Sequence, residues 1–191
     1  MSRGRVLSAL VANRPGVLNR VSGMIRRRGF NIESLTVGPT LDHRVSRMTL
    51  LVNVGAAPAE QAAEQLRKLL DVIDARDITD EPRAECELLL IRVAASDHRI
   101  GSLREQTGAS VRVMIQEPGV VILAAIGPSE ELDDLLASRL SDFTVTEIVR
   151  TGTAAMMIDP THPHAVSHHE PAAEPPAQVG AIVDRAQPHA A

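Results

Sequence analysis

Apolar and polar positions follow the same sequence of patterns twice along this chain. Residues 5–12 (RVLSALVA) form a nearly continuous apolar run of the length of a buried strand. The turn Asn13-Arg14-Pro15-Gly16 comes next and carries helix-start chemistry, after which Leu18, Val21 and Ile25 recur at three- and four-residue spacing. Arg20, Arg26 and Arg27 fall on the wet side of that helix, and Gly29 is placed to cap its end. Residues 31–37 (NIESLTV) and 47–54 (RMTLLVNV) read as strands, joined by the polar, Gly- and Pro-containing stretch 38–45. A second helix is expected over residues 58–70, with an apolar stripe of Ala62, Leu66, Leu69 and Leu70, and residues 72–78 supply a fourth strand.

After the polar link 80–83 the order returns. Residues 87–94 read as a strand, residues 99–107 as a short helix with Ile100 and Leu103 as core positions, and Val111, Val113 and Ile115 alternate with polar neighbours. An apolar strand at 120–126 follows the Glu117-Pro118-Gly119 turn. Ser129 is expected to cap a helix over 130–140, where Glu130 and Glu131 face the positive end of the helix dipole. Residues 145–150 close the unit. The predicted fold is α+β: two tandem ferredoxin-like β-α-β-β-α-β units, each a four-stranded antiparallel sheet with two helices on one face. The expected boundaries are 1–80 for the first unit, 84–153 for the second and 160–191 for a disordered tail. Sheets this small leave an open face and open edges, so self-association is expected.

Composition narrows the function. Of 191 residues, 44% are hydrophobic but only 1% aromatic, so the core must be aliphatic and the stacking surfaces that single-stranded nucleic acid needs are missing. A net charge of −4 removes the electrostatic footprint of a general nucleic-acid binder. The single Cys rules out a disulfide within the chain, and no apolar run approaches the roughly 18 residues of a membrane helix, so a soluble cytoplasmic protein is expected. The tail holds six of the 12 Pro and five of the seven His. It offers too little periodic apolar surface to offset its ordering entropy.

Catalytic patterns are absent. There is no Gly-x-Ser-x-Gly elbow and no phosphate-cradling Gly-rich loop. Cys86 lies between Glu85 and Glu87, a poor setting for a nucleophile. His162, His164, His168 and His169 could collect a metal ion, yet nothing around them fixes a geometry, so no metal site is assigned. His43 and His98 read as solvated, and the Arg26-Arg27-Arg28 run as a wet helix face.

One segment carries binding chemistry. In Asn13-Arg14-Pro15-Gly16-Val17-Leu18 a strand ends and a helix begins; Pro suits a first helical turn, and Gly lets a ligand approach the backbone closely. Free N–H groups at such a start can meet a carboxylate, and the Asn13 amide can donate to a carboxylate or accept from an ammonium. Together they suit the zwitterionic end of a free amino acid. The same residues also make an ordinary turn and cap, and Asn31 reads equally as a turn residue.

Residues 5–54 resemble the amino-terminal domain of the acetolactate (acetohydroxyacid) synthase small regulatory subunit, a member of the ACT-domain family. The resemblance is carried by Leu7-Ser8-Ala9-Leu10-Val11-Ala12-Asn13 and Pro15-Gly16-Val17-Leu18-Asn19-Arg20, and most specifically by Arg28-Gly29-Phe30-Asn31-Ile32-Glu33-Ser34-Leu35-Thr36-Val37, followed by Ser46-Arg47-Met48-Thr49. It implies a non-catalytic subunit that dimerises through its ACT domains side by side and binds valine, or another branched-chain amino acid, in the dimer interface. Asn13, Gly16, Val17 and Leu18 of one chain would hold the effector's backbone atoms, and Asn31 and Ile32 of the other would close the site. The resemblance also implies a large catalytic subunit as partner, which the small subunit activates and makes sensitive to feedback inhibition in branched-chain amino-acid biosynthesis. Thiamine diphosphate, magnesium and FAD would belong to that partner, with no cofactor in this chain. The alternative reading is a stand-alone ACT-type sensor acting on a different enzyme.

Overall fold

The computed structural model describes residues 4–95, 110–141 and 143–158. The helix expected at 99–107 and the tail 160–191 lie outside the described residues.

The N-terminal half is built from β1 (Arg5–Ala12), α1 (Val17–Arg27), β2 (Ile32–Pro39), β3 (Val45–Val52), α2 (Ala56–Arg67) and β4 (Val72–Asp77). Its four strands form an antiparallel sheet in the order β2-β3-β1-β4. Alternation along the strands sorts the two faces. Leu7, Ala9 and Val11 of β1 and Met48, Leu50 and Val52 of β3 pack with Val21, Ile25, Ala62 and Leu66 of the helices into one aliphatic core. Ser8, Arg47 and Thr49 fall on the opposite face with Ser34 and Thr36 of β2. The two edge strands are β2 and β4.

The second helix ends earlier than its sequence pattern suggests. α2 stops at Arg67, and the chain reverses through hydrogen bonds from the Leu69 N–H to the Leu66 carbonyl and from the Val72 N–H to the Leu69 carbonyl, both 3.0 Å. Leu69 still packs on the core from this turn, whereas Leu70 is fully exposed and is no part of an apolar stripe.

The C-terminal half contains β5 (Arg83–Ala95), β6 (Ser110–Glu117), β7 (Gly119–Gly127), α3 (Ser129–Asp134) running into a π-helical turn at Leu135–Arg139, β8 (Val145–Arg150) and β9 (Ala154–Met157). Its sheet order, β6-β7-β5-β8, repeats that of the first half, with β5 in the place of β1. Leu89, Ile91, Val93, Val121, Leu123, Leu132 and Leu135 form its core. β9 has no counterpart in the repeat, and it pairs with the N-terminal extension of β5 from Arg83↔Met157 to Cys86↔Ala154.

Ser129 departs from its expected role. It is the first helical residue, after Pro128, and makes no capping bond. Its hydroxyl instead donates to Glu87 Oε2 at 2.9 Å and lies 3.0 Å from Thr153 Oγ1. Glu87, only 4% exposed, gathers these contacts together with Arg150 Nε at 3.0 Å, Arg150 Nη2 at 2.8 Å and the Gly152 N–H at 3.2 Å. Arg150 also pairs with Asp133 at 2.6 Å, so one carboxylate ties β5, β8 and the start of α3 together.

The halves meet where β9 covers the polar face of the first sheet. Val6, Ile78 and Ala155 form a small buried cluster flanked by Leu51 and Met157. Nearby, the Thr36 hydroxyl donates to the Thr151 carbonyl at 3.4 Å. At Gly152 the backbone has φ +79°, and an added Cβ would stand 2.8 Å from the Ser34 Cβ. Gly152→Ala is therefore expected to lower stability by about 2 kcal/mol or more, from left-handed strain of about 1–2 kcal/mol and the clash that comes with it. Urea unfolding checks this. A loss under about 0.5 kcal/mol, the ordinary scatter of a surface change, would contradict it.

Candidate functional site

α1 organises the candidate site because the six sequence-predicted residues sit at its two ends. At its start, Gly16 has φ +83°, a backbone that L side chains rarely adopt, and this turns the chain from β1 into the helix. Asn13 is exposed at the end of β1. Its N–H donates to the Arg44 carbonyl at 2.7 Å and its Nδ2 to the His43 carbonyl at 2.9 Å, which ties its side chain to the loop between β2 and β3. The Val17 side chain is buried in the core, so only its backbone is available to a ligand; Leu18 is 46% exposed. No side chain caps the helix, and no acid stands in its first turn. That leaves the open N–H groups and positive end of the dipole for an anion.

Arg20 adds a cation that the motif alone does not single out. One turn beyond Gly16, its Nη1 would stand 3.2 Å from a Gly16 Cβ, while its Nη2 pairs with Asp71 at 2.5 Å. The i to i+4 spacing from Gly16 is the signal for it in the sequence.

Asn31 and Ile32 lie past the other end of the helix. Arg26 and Arg27 occupy its last turn, where cations complement the dipole, and Gly29 at φ +75° reverses the chain into β2. Asn31 and Ile32 line an open groove of about 420 Å³ along the exposed flank of α1, with Asn19, Ser22, Gly23, Arg26 and Phe30. Asn13 precedes the start of α1 and Asn31 and Ile32 follow its end, so the whole eleven-residue helix, about 16 Å long at about 1.5 Å per residue, lies between the two groups. One chain therefore brings Asn13, Gly16, Val17 and Leu18 together, and Asn31 with Ile32, but does not bring the two groups to one small ligand.

Among the described residues no three His, Cys, Asp or Glu side chains could hold a metal ion together, and no helix is long and apolar enough to cross a membrane. His43 contributes its carbonyl to Asn13, and its side chain is exposed.

A ferredoxin-like unit with a polar helix-start loop and an unpaired edge strand defines the class as a tandem α+β protein headed by an ACT domain. The family model of the small-subunit-like ACT domain of acetohydroxyacid synthase matches residues 7–74, and that of the small subunit of acetolactate synthase matches residues 86–158. The chain belongs to the acetolactate synthase small-subunit family. It is 38% identical over 155 residues to the acetolactate synthase small subunit of Bacillus subtilis, a match covering 79% of this chain and 88% of that one. To the small subunit of Mycolicibacterium smegmatis it is 37% identical over 164 residues, covering 84% and 96%. The crystal structure of the acetolactate synthase small subunit from Thermotoga maritima superposes with a TM-score of 0.70 at 31% identity, covering 82% of this chain and 98% of that one.

Proposed function

We propose that this chain is a non-catalytic regulatory subunit of acetolactate synthase, which binds a branched-chain amino acid, valine in the first instance, between two copies of itself and reports that state to the catalytic subunit. The observation that carries the reading is the division of the polar groups between the two ends of α1. An antiparallel pair of α1 helices about a two-fold axis places Asn13, Gly16, Val17 and Leu18 of one copy beside Asn31 and Ile32 of the other, which creates two equal sites. Pairing of the β2 edges across the same axis would continue one sheet into the next and satisfy a row of N–H and C=O groups that β2 leaves open. Gly23, in the middle of the exposed helix flank, lets the two helices approach closely.

Each half-site has its own task. The helix start and the Asn13 amide receive the carboxylate and ammonium, with Arg20 nearby as a cation, and Ile32 offers an apolar wall to the isopropyl group. A ligand in such an interface shifts the assembly toward whichever packing binds it better, by its differential affinity alone. A coupling of about 1–3 kcal/mol gives useful feedback. Leu90, Ile126 and Val149 are exposed on the second sheet's face away from its core and offer an apolar surface to the larger subunit. In this reading thiamine diphosphate, magnesium and FAD belong to the larger subunit, and this chain supplies no group to the carboligation.

The test is acetolactate formation by the large subunit of the same organism, with and without this chain, across a valine titration. Activation together with new valine inhibition is the expected result. Saturable valine binding with no effect on acetolactate formation would instead make the chain a stand-alone sensor for another enzyme.

A further inference from the structure

A second cleft, of about 400 Å³, lies on the other side of the first sheet from the α1 groove, between that sheet's polar face and the paired strands β5 and β9. Pockets of this size ordinarily take small organic ligands. Its walls are largely apolar, with Pro39 from β2, Ala84 from β5, and Ala154, Ala155 and Met156 from β9. Two charged side chains reach it. Glu85 is already paired with Arg83 at 2.9 Å.

Arg47 is differently placed. Its Nη1 donates to Ser8 Oγ at 3.0 Å, and Asp74 acts on it through space. Among the described residues no carboxylate is hydrogen-bonded to it. Burial lowers its pKa, the direction expected of a cation that has lost water and is incompletely compensated. Arg47 is half-buried, and a guanidinium so placed can donate two parallel bonds to a carboxylate.

The surroundings leave room for such a group. The Thr36 and Thr49 hydroxyls line the same wall, and each is engaged in the described structure by a single long contact of 3.4 Å, Thr36 to the Thr151 carbonyl and Thr49 from the Ala155 N–H. Gly38 is the register partner of Arg47 on β2, and a Cβ built on it would meet nothing within 4 Å. The wall of the cleft on the β2 side of Arg47 is therefore open.

We propose that this inter-unit cleft is a second ligand site that takes a small aliphatic carboxylate, its charge on Arg47 with Thr36 and Thr49 as further partners and its hydrocarbon body against Ala84, Ala155 and Met156. The proposal does not depend on the α1 site or on the identity of the catalytic partner.

Cys86, the sole cysteine of the chain, lines the cleft and is exposed, so its alkylation reports occupancy. The experiment follows modification of the full chain by N-ethylmaleimide, using mass spectrometry, with isobutyrate or its neutral analogue isobutyramide at concentrations up to tens of millimolar. Isobutyrate is expected to slow alkylation several-fold and isobutyramide to leave it unchanged. Arg47→Met, which keeps most of the aliphatic stem, is expected to lose the protection, and Gly38→Leu, which fills the cleft, to lose the response to isobutyrate. Asn13→Ala is expected to keep it. No protection in the unmodified chain, equal protection by the amide, or protection retained in Arg47→Met would overturn the proposal. The comparison of acid with amide in the unmodified chain does not depend on how any variant folds.

Discussion

Replacing Asn13 with Ala should raise the valine concentration for half-inhibition of the reconstituted synthase by about ten- to a hundredfold, while activation by the subunit stays intact. The size follows from the loss of one hydrogen bond to a charged ligand group, roughly 1.5–3 kcal/mol, at about 1.4 kcal/mol per factor of ten. Folding should survive, because Asn13 is exposed and its backbone bond to the Arg44 carbonyl does not involve the side chain. Within the chain the substitution removes the hydrogen bond from Nδ2 to the His43 carbonyl, which lies at an exposed site. Inhibition curves measured with the same large subunit check this. An unchanged half-inhibition point would remove Asn13 from the site.

The second large effect concerns stability. Arg150→Met leaves the Glu87 carboxylate, 4% exposed, without its cation. Removing one partner of a buried pair costs about 3–5 kcal/mol, and the low end applies because Arg150 itself is about a third exposed. For a unit of this size about 3 kcal/mol corresponds to a melting point lowered by more than about 10 °C, readable by calorimetry. A shift of only a degree or two would mean that Ser129 and the Gly152 N–H suffice to hold the carboxylate.

The same cluster sets a dependence on pH. Burial pushes the Glu87 carboxyl up, but its bonds from Arg150, Ser129 and the Gly152 N–H outweigh this and hold its pKa below the ordinary value. A carboxyl whose folded pKa is depressed contributes stability that is complete above its unfolded value, about 4.3, and is lost as pH falls through the lower folded value. Stability of the C-terminal half should therefore fall steeply below about pH 4 in the unmodified chain, and Glu87→Gln should flatten that fall. Urea midpoints measured across this range give the comparison. An equally steep fall in Glu87→Gln would assign the acid sensitivity to other carboxyls.

Much of the fold is legible in the sequence because local pattern and tertiary position agree. β1, α1 and β7 follow apolar periods that the core uses, and Gly29 reverses the chain where its position suggests. Three features are not legible, each for a physical reason. β9 is a four-residue Ala-Ala-Met-Met segment with no polar–apolar alternation, and its partner Arg83–Cys86 precedes the apolar run that marks β5. The end of α2 is hidden because Leu69 and Leu70 continue its apolar spacing, while the reversal into β4 decides where the helix stops. Ser129 reads as a cap because its actual partner, Glu87, is 42 residues away in sequence.

The candidate site is legible in its parts. Asn13 and Gly16 stand out as strand-end and helix-start chemistry, but a motif does not show that Asn31 and Ile32 lie past the far end of the same helix, itself about 16 Å long. That separation is what turns a set of residues into a claim about two chains.

The most direct measurement of that claim reconstitutes the synthase with a mixture of Asn13→Ala and Asn31→Ala chains, co-folded so that mixed dimers form, and records valine inhibition. A mixed dimer unites the intact Asn13 of one chain with the intact Asn31 of the other, so one of its two sites is whole. Partial recovery of valine sensitivity, absent from either variant alone, is the predicted result. A mixture no more sensitive than its parents would contradict a site shared between two copies.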